Sequence, residues 1–348
     1  VLFGSKKILG LDIGSSTIKI AELEVGRNGA QLNYFGFLPM PQGAVGGGDF
    51  TNTQMVADAI RTLHGQSKGN SKDIAVGMWG TSVIVKKIAM PRVEKKLIQQ
   101  QIRWEAEQYI PFDPNEISLA YHLLPGGGSP DTQDLLLIAA QNAMVNQYRQ
   151  IISGAGLKLA ILDVSGFALA NAFELNYGKL TGQTVALINI GSAVTNFVVV
   201  HDGEVIFSRD IPFGGSNFTT EIHKEMGLTT PEAEALKLSA VMGNEVPEQV
   251  HSILNAVNEN MVEEIRNSFD FFSASNAGYA INRAYYTGGS ATMPNLISRA
   301  SQVSNLPFDQ INPFARVRPG RSLNSNYLQQ IAPFASVVIG LAARKAKE

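Results

Sequence analysis

The run Ile8-Leu-Gly-Leu-Asp12-Ile-Gly14-Ser-Ser-Thr-Ile-Lys19 gathers an acid, two glycines, three hydroxyls and a cation into one short stretch. A tight turn through Gly14, Ser15, Ser16 and Thr17 exposes successive backbone N–H groups. Such a nest, with the hydroxyls beside it, can hold phosphate oxygens. Asp12, at the end of an apolar strand, is placed to orient waters on a bound Mg²⁺, an ion that prefers carboxylates and water. Lys19 can reach the phosphates as a point charge. An ordinary β-turn with a surface lysine fits the same letters, because short Gly/Ser motifs recur by chance.

A second run repeats the pattern: Val185-Ala-Leu-Ile-Asn189-Ile-Gly191-Ser192-Ala-Val-Thr195. Its turn can present another nest, and two nests facing each other would make a two-jaw phosphate clamp. A third element, Tyr286-Thr-Gly288-Gly289-Ser290, follows an apolar strand predicted over 281–286 and precedes Pro294. Paired glycines there let the backbone approach a flat ligand, although a simple left-handed turn reads the same way. The remaining candidates are bland. The five histidines show no metal-ligand spacing. No Gly-x-x-x-x-Gly-Lys-Ser/Thr loop is present. Glu105 and Glu107 are two apart on a predicted helix and do not face each other. Lys86-Lys87 and Lys95-Lys96 read as solvated pairs, with a membrane- or partner-facing role as the alternative.

These motifs need elements to hold them. Each glycine turn joins two apolar strands, and each pair leads through a further turn (26–29, and Asp202-Gly203) to a third strand. The chain is therefore read as an internal duplication with one β-meander in each half. Apolar residues at 55, 56, 59, 60 and 63 predict a helix there, and a sustained 3–4 spacing predicts a long one over 248–275. Thr230-Pro231-Glu232 reads as a helix start with Thr230 as cap. Between the halves, 82–89 reads as a strand and 93–110 as a helix stopped by Pro111-Phe-Asp-Pro114. Strands over 116–124 and 134–141 follow, then a helix over 142–155. This is taken as an inserted α+β subdomain, 82–158. The first half is assigned 1–81, 159–183 and 322–348, and the second 184–321, with a smaller lobe at roughly 214–280. Glycine triplets at 46–48 and 126–128 read as loop tips.

Composition narrows the function classes. With 348 residues, 45% apolar and 17% charged, the chain can bury a large core. A net charge of −2 argues against nucleic acid as the main partner. The absence of cysteine excludes disulfides, thiolate metal sites and cysteine nucleophiles. Residues 1–7 lack a signal-peptide core, and the longest apolar run, 331–343, is too short to span a bilayer, so a soluble protein is expected.

Asp-x-Gly-Ser with a Lys seven residues after the Asp, then Gly-Ser-x-x-Thr, then a strand–Gly-Gly turn, resembles the actin-like ATPase superfamily. The resemblance implies a two-lobed α/β fold of duplicated meander-and-helix halves. It makes 14–17 and 191–195 the two phosphate loops and Gly288, Gly289 and Ser290 the adenosine loop. Glu234 and Lys237 would contact the adenine and ribose, and Asp12 would hold Mg²⁺ through water. Helices over 163–173 and 335–343 would connect the halves. Glu105-Ala-Glu-Gln-Tyr-Ile-Pro-Phe112, Ala155-Gly-Leu, Asp163-Val, Arg209-Asp-Ile-Pro-Phe-Gly-Gly215 and Leu2-Phe-Gly are similar to the PilM family of type IV pilus assembly, relatives of FtsA with an FtsA-type insert.

That resemblance implies an ATP- or ADP-binding scaffold with Mg²⁺, cytoplasmic and peripheral at the inner membrane. It would grip the cytoplasmic tail of PilN at the insert, between Leu97 and Phe112, beside other pilus inner-membrane proteins. With a short basic end at 344–348, no membrane helix of its own is expected, and self-association is left open. Asn189 departs from the superfamily, which usually has Asp there. Losing that charge and basicity typically costs ~10²–10⁴-fold in rate, so weak or absent hydrolysis is expected. Two rival readings share the fold: a working ATPase or small-molecule kinase with Asp210 as base, and a nucleotide-dependent filament.

Overall fold

The computed structural model describes residues 8–26, 29–46, 48–67, 71–125, 128–321 and 323–344. The first seven residues and the stretch 345–348 lie outside them, as do parts of the turn 26–29 and of both glycine triplets.

Two sheets repeat one plan. In the first, Leu9–Ile13, Thr17–Gly26 and Gly29–Pro39 form an antiparallel meander, and Asp73–Met78 and Lys158–Val164 add in parallel beside Leu9–Ile13. In the second, Thr184–Ile190, Thr195–His201 and Glu204–Ile211 form the meander, and Arg283–Thr287 and Phe308–Gln310 add in parallel. The strand order is the same in both, so the duplication read from the letters is a duplication of topology. All of Leu9–Ile13 is buried, and so is Phe197 through Val200, as expected for strands covered on both faces. One boundary moves. Val317–Pro319, assigned by sequence to the second half, pairs with Gly29–Pro39 at the edge of the first sheet.

Two helices lie between the sheets. Ser165–Tyr177 packs Leu169 and Phe173 against the second sheet, and Ser325–Ala342 packs Ala335, Val338 and Ala342 against the first. They meet closely: a Cβ on Gly340 would fall 1.7 Å from the Ala168 carbonyl oxygen. The connecting helix expected at 163–173 begins at Ser165, because Asp163 and Val164 still belong to a strand, and it runs on to Tyr177. The closing helix starts ten residues before 335 and contains Pro333. Proline lacks the N–H that a helix interior uses. Here the Pro333 carbonyl accepts from the Gly288 N–H (2.6 Å) and the Thr287 hydroxyl (3.1 Å), tying the helix to the glycine turn.

The insert is smaller than expected. Its sheet runs Val83–Pro91, Thr132–Gln141, Ile117–Leu123, and the helix Lys95–Tyr109 covers one face through Ile98, Ile102 and Ala106. Leu136 and Ile138 on the other face join the core of the second half. The helix Asn142–Gly154 does not belong to this unit. Its stripe of Met144, Val145, Tyr148 and Ile152 packs with Ile60 and Leu63 of Thr53–Gln66 in the core of the first half. The 28-residue helix Glu248–Ser275 is found as predicted. The helix Thr230–Val241 is capped one residue earlier than expected, by Thr229, because the Glu232 carboxylate accepts from both the N–H (2.8 Å) and hydroxyl (2.6 Å) of Thr229.

Candidate functional site

The two glycine turns face one another across a cleft of about 370 Å³ between the halves. Each is closed by the same bond: Gly14 N–H to the Thr17 carbonyl and Gly191 N–H to the Val194 carbonyl, both 3.0 Å. Across the first hairpin Asp12 stands opposite Lys19, and the two form an ion pair at 2.9 Å, both side chains buried. Across the second, Asn189 stands opposite Asn196, and the Asn189 Nδ2 donates to Asn196 Oδ1 at 2.8 Å. A neutral amide pair thus occupies the place of the charged pair. The loops touch where the Ala193 N–H donates to Ser15 Oγ at 3.1 Å.

This register corrects one expected site residue. Thr17 corresponds to Val194, and Thr195 corresponds to the buried Ile18. Thr195 is fully buried outside the cleft lining, and its hydroxyl donates to the Phe213 carbonyl at 2.8 Å. The second loop therefore carries one hydroxyl, Ser192. It is held from behind by the helix Gly215–Met226, whose Gly215 and Ser216 N–H groups donate to the Gly191 and Ser192 carbonyls (3.0 and 2.7 Å). A Cβ on Gly214 would meet those same oxygens at 2.5–2.6 Å.

The other expected residues do gather at the cleft. Asp12, Gly14, Ser15, Ser16, Thr17 and Lys19 line one wall; Asn189, Gly191, Ser192, Gly288, Gly289 and Ser290 line the other, with Glu234 and Lys237 beside them. Gly288 has φ +104°, a conformation other residues rarely adopt. Lys237 is not free: its Nζ donates to Glu234 Oε2 (2.6 Å), Thr219 Oγ1 (2.8 Å) and the Gly215 carbonyl (3.2 Å), pinning two helices together.

Asp210, the base required by the kinase reading, is placed elsewhere. It lies within the third strand of the second meander, on the side of a neighbouring groove. Its carboxylate accepts from Asn196 Nδ2 and from the Gly80 N–H, each at 2.7 Å. Protein packed around it pushes the carboxyl up to about 6, and the two hydrogen bonds hold it back from rising further.

Sequence reasoning missed several lining residues: Phe37, Trp79, Asn196, Phe334 and Met293. Trp79 ties the cleft together, its indole N–H donating to the Ile13 carbonyl at 2.7 Å. Meander register could have flagged Asn196, as the partner of Asn189, and Phe37, as the partner of Lys19; Met293 follows Ser290 by three residues, whereas Trp79 and Phe334 come from distant segments and carry no local signal.

The lining charges cancel, Lys19 against Asp12 and Lys237 against Glu234. A polyphosphate would thus rely on backbone N–H groups and on a metal for neutralisation. Among the described residues no cluster of three or more His, Asp or Glu could hold a metal alone. One carboxylate, Asp12, still suits Mg²⁺, which keeps several waters and takes its other oxygens from substrate phosphates. The residues fit a phosphate-borne Mg²⁺ and do not fit a protein-only metal centre.

Comparison with known proteins places this geometry. The family model described as "Type IV pilus assembly protein PilM" matches residues 10–346. The chain belongs to the PilM family. FtsA of Enterococcus faecalis is 22% identical over 338 residues, covering 85% of this chain and 76% of FtsA. FtsA of Bacillus subtilis is 24% identical over 255 residues, 66% of this chain, and the chain spans only 57% of that relative. A solved PilM–PilN type IV pilus biogenesis complex superposes with a TM-score of 0.89 at 24% identity, over 99% of this chain and all of that one. MreB5 of Spiroplasma citri bound to ADP gives 0.54 at 11% identity, over 96% and 94%. The fold is actin-like.

Proposed function

We propose that this protein is a nucleotide-binding scaffold of type IV pilus assembly, taking ATP with Mg²⁺ in the cleft and turning it over slowly or not at all. The observation that carries the reading is the matched pair of glycine hairpins, equal in register and closing bond, facing one cleft. Backbone nests on both sides suit phosphate oxygens. Asn189 supplies no base or negative charge where the first hairpin has Asp12, so binding survives while hydrolysis is weak. The ADP seen in the similarly folded MreB5 supports the choice of ligand class. The bound ligand would select one arrangement of the two halves.

The partner in this reading is the cytoplasmic tail of PilN, supported by the solved PilM–PilN complex. The insert is where it would dock. On the helix Lys95–Tyr109 the apolar face is spent inward, yet Leu97 and Trp104 remain 44% and 66% exposed. Exposed side chains of that size suit a partner surface. No helix among the described residues is long and apolar enough to cross a membrane. Attachment to the inner membrane from the cytoplasm would then run through the partner.

One experiment tests both parts. The protein is incubated with Mg-ATP, freed of excess ligand, and its bound nucleotide identified over hours, while a synthetic PilN tail peptide is titrated in parallel. Intact ATP and a peptide affinity lost in Leu97→Asp/Trp104→Asp are expected. Rapid accumulation of ADP would make this a working ATPase, and unchanged peptide binding in the variant would move the docking site.

A further inference from the structure

Asp210, Asn196 and Asn189 form a hydrogen-bonded chain from the groove beside the insert to the floor of the cleft, and its two ends are chemically unequal. An ionised carboxylate only accepts. Asp210 takes the Gly80 N–H on one oxygen and Asn196 Nδ2 on the other. Asn196 must therefore turn its NH₂ toward Asp210 and its oxygen toward Asn189. Asn189 must in turn donate through its own NH₂. Asn189, which lines the cleft, keeps its carbonyl oxygen unengaged by this chain, together with its second N–H.

We infer that Asp210 is a positioning residue: it fixes the direction of this amide chain so that Asn189 keeps an acceptor for the cleft, which the reversed direction would leave it without. The inference rests on the nucleotide reading of the cleft and deepens it. An acceptor suits the water shell of a phosphate-borne Mg²⁺ and would repel a bare phosphate oxygen. Asp210 thereby recovers, through two amides, the acceptor character lost where the second hairpin carries Asn instead of Asp.

The direction of the chain is testable because it can be reversed. In Asp210→Asn the new amide accepts from Gly80 and donates to Asn196, so both amides flip and Asn189 presents NH₂. The variant folds, and its ATP affinity in Mg²⁺ relative to EDTA falls about 10-fold, the worth of one hydrogen bond to a charged group. Its affinity in EDTA does not fall. In Asn189→Asp, Asn196 stands between two acceptors and one contact becomes oxygen against oxygen, which lowers the melting temperature. In Asn189→Asp/Asp210→Asn every group is again paired, so the melting temperature recovers and an acceptor returns to the cleft. Additive losses in the double variant, or an unchanged Mg²⁺ ratio in Asp210→Asn, overturn the inference. The melting cycle needs no nucleotide. Compensation there without ATP binding by the wild type would refute the cleft reading, and the Mg²⁺ role with it, while upholding the positioning of Asn189 by Asp210.

Discussion

Gly288→Ala and Gly289→Ala differ by one position, and the structure predicts opposite outcomes. At Gly288 the backbone has φ +104°, and a Cβ would lie 2.2 Å from the Ile190 carbonyl oxygen and 2.6 Å from the Ile190 carbonyl carbon and nitrogen. Those atoms belong to a central strand, so they cannot retreat without disturbing the whole second sheet. The positive φ costs about 1–2 kcal/mol for an ordinary residue, and the overlap adds about 1–3 kcal/mol. The turn also risks its bond to the Pro333 carbonyl. Gly288→Ala should therefore lose about 2–5 kcal/mol by denaturant unfolding. At Gly289 a Cβ meets nothing within 4 Å. Gly289→Ala should keep its stability and lose nucleotide affinity, because the methyl occupies the cleft. Equal stabilities for the two variants would refute the claim that the Gly288 turn is fixed by the strand beneath it.

Three further outcomes follow from the same geometry. Asp210 has a folded-state carboxyl raised to about 6, so the folded protein binds its proton more tightly than the unfolded chain. The stability this group contributes is fully present below the usual carboxylate range and lost as pH rises through about 6. Because its edge stays open to the groove, the effect is about 2 kcal/mol rather than the full shift. Denaturant curves at pH 5 and pH 7.5 should show a wild-type slope that Asp210→Asn lacks; parallel slopes would refute it. Thr195→Val leaves the Phe213 carbonyl without its donor and should cost about 1–2 kcal/mol with ATP affinity unchanged, whereas a loss of affinity by calorimetry would return Thr195 to the site. Lys19→Met leaves Asp12 buried and unpaired, costing about 3–5 kcal/mol. The double variant Asp12→Asn/Lys19→Met should regain most of that stability without regaining ATP binding.

Local spacing carried much of this protein. A glycine turn between two apolar runs fixes a hairpin whatever surrounds it, so the two phosphate-loop candidates, the meanders and their duplication were legible in the letters. The 3–4 spacing of 248–275 likewise announced its helix. The limits were those of counting along the chain. Reading Gly-Ser-x-x-Thr as a loop motif put Thr195 in the site, and only the pairing of Asn189 with Asn196 shows it one step too deep. The apolar stripe of Asn142–Gly154 told that the helix is buried on one side but not against what, and tertiary packing gave it to the first half instead of the insert.

Contacts between distant segments decided the rest. Trp79 reaches Ile13, Gly80 reaches Asp210, and Pro333 reaches Gly288. No periodicity encodes such meetings, because they depend on how whole sheets and helices stack. The residue types set which chemistry each half can offer. The register of the second meander set Asp210 opposite Asn196, and stacking brought Gly80 to it, so its carboxylate orients two amides while facing the neighbouring groove.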